Sequence, residues 1–367
     1  MIYLFSLIVI ILVGIIFDAN KNDKSKRKYI MFSFGIMTII SALRKYSIGI
    51  DLNIIYTPLF KTISMLPFNS LKNIQMEYGF VLFCKLISMI STNIQAFIVV
   101  TSVLIYTAYG NFIYKNSKNV VISTSLFLLL NLYFMSMNII RQQLSVAIIL
   151  YGYEFLKKDK KILFILFVVI ASLFHQSAII CVLFLLFDKK KIDKKIIFYL
   201  FIIIIISLVF YKPLVEGFNN IISFLGLNSN KNYIEYLTNI KYGKSIFNLD
   251  TLSSYILSSS IFILGYYYIV ILNNQNRNSN LYVLLTACYM ICDIVSSRMI
   301  IINRLEFYFL PFALLLIPDA ISYSKIKNNS KAILIVLYSA IILKYGYILI
   351  NLSGQLYGIS PYVFFWQ

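Results

Sequence analysis

The chain has 367 residues, of which 60% are hydrophobic and only 13% charged, and its mean hydropathy is +0.82. That composition excludes a water-soluble domain of this size and makes lipid the solvent. The net charge of +19 sits mostly in short lysine clusters between apolar runs, a pattern of membrane orientation that argues against nucleic acid as a partner.

A bilayer core of roughly 30 Å takes about 20 apolar residues per helix, so an all-α, polytopic fold of roughly twelve spans is expected, forming one transmembrane domain. The first apolar run, 2–17, has no basic residue before it and Lys21, Lys24, Lys26, Arg27 and Lys28 after it. It reads as a retained first span with its N-terminus outside. Further spans are predicted at 29–43, 94–114, 120–138, 140–156, 162–174, 176–187, 196–212, 251–272, 281–297, 304–323 and 332–350. The loops at 18–28, 115–119, 157–161, 188–195, 273–280 and 324–331 are then cytoplasmic, and they hold most of the 33 lysines and arginines, as the positive-inside rule requires.

Three regions depart from simple spanning. Long outer loops are predicted at about 44–79 and 213–250, and loops of that length usually carry function. The stretch 78–91, interrupted by Lys85, reads as an interfacial or re-entrant helix. Between the basic clusters 157–161 and 188–195 there is room only for two helices of roughly 20 Å each, a short or re-entrant pair with His175 at its apex.

The arginines divide between the two faces. Arg27 and Arg277 fall in predicted inner loops, whereas Arg44, Arg141, Arg298 and Arg304 fall at outer span ends. A planar guanidinium fork suits phosphate or carboxylate, so these four suggest an anion site; snorkelling to lipid phosphates, or pairing with Asp51, Asp293 and Glu306, is the alternative. Asn138 reads as the N-cap of a helix whose first turn holds Arg141, with Gln142 and Gln143 beside it. An anion there would meet both free backbone N–H groups and a guanidinium. In Arg44-Lys45-Tyr46-Ser47-Ile48-Gly49-Ile50-Asp51, glycine supplies a turn, and Asp51 either orients Arg44 or acts as a base. His175, the only histidine, is an ionisable group at membrane depth, suited to proton transfer or a phosphate hydrogen bond; packing against a helix carbonyl is the plain alternative. Cys84, Cys181, Cys288 and Cys292 lie in apolar stretches and read as packing residues. With one histidine and scattered acids, neither a metal site nor a cofactor is expected.

Four motifs, in this order, carry a family resemblance: Arg44-x4-Gly49-x-Asp51-x4-Tyr56, Asn138-x2-Arg141-Gln142, Phe174-His175-x-Ser177 and Arg304-x3-Tyr308-x2-Pro311. Together with the closing Pro361-Tyr362, they resemble the EpsG-like branch of the Wzy-type polysaccharide polymerases that serve O-antigen, capsule and exopolysaccharide synthesis. One departure is Lys45, which separates Arg44 from Tyr46. The resemblance implies a metal-independent glycosyltransferase of the bacterial cytoplasmic membrane, active at its outer face. Such an enzyme joins repeat units carried on undecaprenyl diphosphate, with a flippase and a chain-length regulator as candidate partners. On that basis His175, Asp51, Arg141 and Arg304 are the expected catalytic residues. Arg44, Gly49, Tyr56, Asn138, Gln142, Ser177, Arg298 and Tyr308 are expected at the substrate. The rival readings are a lipid-linked oligosaccharide flippase or other transporter, and a membrane glycan ligase or acyltransferase.

Overall fold

A computed structural model of the chain describes residues 2–210, 213, 249–273, 275–297, 302–324, 337–341, 344–346 and 358–367. Among these the structure is all-helical, and its only β feature is an isolated bridge between Arg44 and Phe364. The chain divides into two compact units, 1–186 with 345–367, and 187–344.

The first unit contains α1 (Ile2–Ile16), α2 (Asp23–Ala42), α3 (Thr57–Met65), α4 (Tyr78–Ile90), α5 (Ile94–Asn116), α6 (Val120–Leu129), α7 (Leu132–Asn138), α8 (Ile140–Lys157) and α9 (Lys161–Ser172). Asparagines start three of them. The side chains of Asn22, Asn93 and Asn119 accept from backbone N–H groups in the first turns of α2, α5 and α6, satisfying donors that the helix itself leaves unpaired. Asn131 adopts φ +68°, which asparagine tolerates better than most residues, and there the chain bends by 52° between α6 and α7.

Helix α2 packs on α5, α5 on α8, and α8 on α9, while α1 lies against α2 and α6. Lipid gives no hydrophobic drive between helices, so close packing and polar bonds must hold them together. An aromatic cluster provides the packing: the Phe127 ring centroid lies 4.6 Å from Tyr109 and 5.5 Å from Phe34. The buried tyrosines supply the polar bonds. Tyr109 donates to Gln143 Oε1 (2.9 Å), Tyr133 to the Met37 carbonyl (3.0 Å), and Tyr106 bonds Ser136 (2.8 Å).

Residues 358–365 form a strap across the start of the 44–51 loop. Phe365 N–H donates to Leu43 O, Lys45 N–H to Val363 O, and Gly49 N–H to Gly358 O. The Tyr362 hydroxyl donates to Ile40 O and the Tyr3 hydroxyl to Ile359 O.

The second unit contains α10 (Leu183–Phe187) only at its margin, then α11 (Ile196–Val209), α12 (Leu249–Tyr266), α13 (Arg277–Val295), α14 (Ile302–Phe309) and α15 (Ala313–Ser324). Its buried carboxylates are paired, as burial in an apolar setting demands. Asp293 accepts from Ser254 and Ser258 at 2.8 Å each, Asp319 accepts from Ser279 at 2.9 Å, and Asp188 takes two bonds from Arg277 at 2.7 and 3.0 Å.

Four helices among the described residues are long and apolar enough to cross a membrane: Ile94–Asn116, Thr251–Ile271, Arg277–Val295 and Ile302–Tyr323. The bent α6–α7 pair makes a fifth if it acts as one span. The expected twelve spans are therefore not confirmed. The runs at 2–16, 161–172, 176–187 and 196–209 are apolar but short, while α2 and α8 carry charges in their end turns. The predicted outer loop at 213–250 and the span at 332–350 lie mostly outside the described residues. The stretch from 78 is a 13-residue helix, as its length suggested, and Lys85 has a local task there. Its ammonium donates to the carbonyls of Ile63, Ser64 and Leu66 at 2.7–3.4 Å, capping the C-terminal end of α3, where a cation also suits the helix dipole.

Candidate functional site

The site is built where three elements of the first unit meet: the start of α4, the start of α8 and the turn after α9. The continuous helix expected from residue 140 does begin there, but its cap differs from the expectation. Helix α7 runs through Asn138, whose amide donates back to Phe134 O (3.3 Å); Ile139 takes the cap position with no side-chain bond to the new helix. The backbone N–H of Arg141 instead finds the Tyr56 hydroxyl at 3.3 Å. Tyr56 is held by ring contacts to Phe80 (5.7 Å) and Phe97 (6.1 Å).

The Arg141 guanidinium leaves α8 toward Met76 and Glu77. Its Nη1 donates to Met76 Sδ at 2.7 Å and to Glu77 Oε2 at 2.5 Å. The other oxygen of the same carboxylate accepts from Gln176 N–H at 3.2 Å and lies 3.3 Å from His175 Nδ1. Side-chain exposure is 18% for Arg141 and 12% each for Glu77 and His175, so the cluster is mostly enclosed, and both ring nitrogens of His175 are buried. Burial pushes the Glu77 carboxyl up, but contact with His175 and the charge of Arg141 outweigh it and hold the group below the usual carboxylate range.

Close approach of α4 to the His175 turn depends on Gly79. A Cβ there would lie 2.7 Å from both Cβ and the carbonyl oxygen of Leu173, and the next residue, Phe80, donates its N–H to that carbonyl (3.2 Å). Backbone cannot yield as a flexible side chain can. Gly79→Ala is thus expected to lower stability by about 1–3 kcal/mol and to separate Glu77 from His175. Thermal unfolding of the purified variant, compared with an alanine placed at the open Gly35 position, would measure the cost.

The backbone of His175 is pinned on both sides, its N–H donating to Ala171 O and its carbonyl accepting from Ala178 N–H, each at 3.0 Å. Ser177 lies half-buried in the 3-10 turn that follows (Gln176–Val182). Gln142 is fully buried behind Arg141.

Arg44 is 1% exposed. Its guanidinium donates to the carbonyl and hydroxyl of Ser41 and, at 3.3 Å, to Met137 O, within a ring of Tyr3, Tyr106, Tyr133 and Tyr362. It bonds Ser41 and Met137 rather than Asp51, which sits half-buried at the start of the π-helical turn Leu52–Tyr56. Gly49 has φ +108°, and a Cβ there would lie 2.9 Å from Met137 O, so this loop abuts the α7–α8 break and Gly49 has no ready substitute. Arg304 is exposed on the second unit, with Tyr308 and Pro311 buried beside it; Arg298 lies outside the described residues. Among the described residues no cluster of His, Cys, Asp and Glu has the makings of a metal site.

Glu77 was not anticipated. It lies in the long loop predicted at 44–79, 64 positions from Arg141, and no local motif marks it. The one available signal was its place immediately before the apolar run of α4.

Several apolar, membrane-capable helices define a polytopic membrane protein, and its first unit holds a partly enclosed ionic cluster at helix ends. The chain matches the EpsG family over residues 27–364 and belongs to it. It is therefore a polysaccharide polymerase-type membrane protein, of a family associated with glycosyltransferase-like activity. No curated protein and no solved structure matches the chain.

Proposed function

We propose that the protein is a polysaccharide polymerase of the bacterial cytoplasmic membrane that joins oligosaccharide repeat units carried on undecaprenyl diphosphate. The observation that carries this reading is the cluster of Arg141, Glu77 and His175, drawn from three elements of a chain in the EpsG family. A polymerase of this kind needs a cation for a diphosphate leaving group, apolar walls for a polyprenyl tail and a proton-handling group at the acceptor sugar. Arg141, at the first turn of α8, answers the first need. As the glycosyl bond breaks, the diphosphate gains charge, so a preorganised guanidinium stabilises the transition state more than the ground state. His175, across the shared carboxylate, serves the acceptor side. The positive-inside count supports an outer-face location for this end of the helices.

The deciding experiment supplies purified protein in proteoliposomes with lipid-linked repeat units. The expected result is a ladder of lengthened glycans with stoichiometric release of undecaprenyl diphosphate. Transbilayer movement of the lipid without lengthening would make the protein a flippase, and transfer to a different lipid core would make it a ligase.

A further inference from the structure

We infer that Glu77 is a positioning residue that fixes the tautomer of His175, with Nδ1–H directed at its carboxylate, so that Nε2 is the atom that takes the proton from the acceptor hydroxyl. This deepens the polymerase reading and rests on it for the identity of the acceptor. The inference about the imidazole itself stands on geometry alone.

Glu77 cannot itself be the base. Its oxygens already face the Arg141 guanidinium, the Gln176 N–H and the His175 ring, and a carboxylate so engaged is held ionised and is a poor proton acceptor. The same arrangement makes it a good orienter. An ionised carboxylate at Nδ1 favours the proton on that nitrogen, leaves the lone pair on Nε2, and stabilises the imidazolium once it forms. Among the described residues, the charged groups placed around His175 include Glu77, at the start of α4, and behind it Arg141, on α8. Because the His175 backbone is bonded on both sides, the ring has little choice but to turn about its own side-chain bonds. Arg141 and His175 are then coupled through one carboxylate, so the cation for the leaving group and the base for the incoming group are held in register.

In the step this implies, the acceptor hydroxyl gives its proton to His175 Nε2 as its oxygen bonds to the anomeric carbon of the donor glycan. The bond from that carbon to the phosphate oxygen breaks, and its electron pair remains on the lipid diphosphate. The proton then passes from His175 to solvent.

The chain has a single histidine, so histidine labelled with nitrogen-15 gives one imidazole, readable without assignment in full-length protein purified through a tag that contains no histidine. The wild type is expected to show the Nδ1–H tautomer at neutral pH. Glu77→Gln should mix the tautomers and lower the titration midpoint by about one unit or more, while Glu77→Asp should keep the wild-type behaviour. In lengthening assays the acid limb of the rate profile should move by the same amount in Glu77→Gln and be restored in Glu77→Asp. A wild-type Nε2–H tautomer would overturn the inference, and that spectrum needs no variant to fold. An unchanged midpoint in Glu77→Gln would overturn it as well. If the imidazole behaves as stated but no glycan is lengthened, the polymerase reading falls and the Glu77 role stands; lengthening with an imidazole indifferent to Glu77 gives the reverse.

Discussion

Replacing Arg141 with methionine is expected to slow glycan lengthening by about 100-fold or more, the usual cost of deleting one preorganised donor to a developing anion. The single variant has a second effect, because it strips Glu77 of its cation in a site only 12% exposed. Breaking an enclosed pair from one side costs up to about 3–5 kcal/mol. Catalytic and structural losses must therefore be separated. The double variant Arg141→Met with Glu77→Gln removes the orphaned charge, and should recover much of the melting temperature while staying inactive. Arg141→Lys keeps a charge but not the planar fork and is expected to fall between, with a weakened apparent affinity for the lipid diphosphate. Wild-type lengthening rates in Arg141→Lys at equal protein level would remove Arg141 from the leaving-group role.

His175→Gln is the second large effect, an expected loss of about 10²–10⁴-fold in the lengthening rate, the range attributable to a positioned base. Glutamine approximates the reach of the imidazole and can still bond Glu77, so the fold should survive. The melting temperature, compared with that of Arg141→Met, provides the control. Donor binding should be nearly unchanged, since Arg141 keeps its partner. A His175→Gln protein that loses donor binding as severely as rate would assign the imidazole to phosphate recognition instead.

How much of this was legible in the residues alone differs from element to element. Arg141 and His175 announced themselves because each is a polar group where an apolar chain should not tolerate one. Gly49 showed itself as a turn, though its contact with Met137 O belongs to tertiary structure. Glu77 was invisible: a carboxylate in a long loop has no periodicity, and its partners come from distant elements. Asn138 misled in the opposite direction. Its residue type suits a cap, but α7 extends through it and the Phe134 carbonyl one turn back claims the side chain. The span count is not confirmed for a different reason. Hydropathy registers apolar runs, whereas several of those runs form helices of only 12–15 residues among the described residues, and the bend at Asn131 is local backbone geometry that hydropathy does not weigh. Arg44 looked like an open ligand because it followed a span directly. Its burial among four tyrosines required residues from opposite ends of the sequence.

That last burial bears on how the molecule is made. The segment 43–49 obtains backbone partners from 358–365, so during synthesis it emerges long before the residues that complete it. Until then Arg44 lacks Tyr362, and the polar groups of Leu43, Lys45 and Gly49 must be borne by water or by a chaperone. A ribosome that stalls late would release a protein whose helices have formed but whose 43–49 segment still lacks its backbone partners, a ready signal for membrane proteases that sort finished chains from unfinished ones.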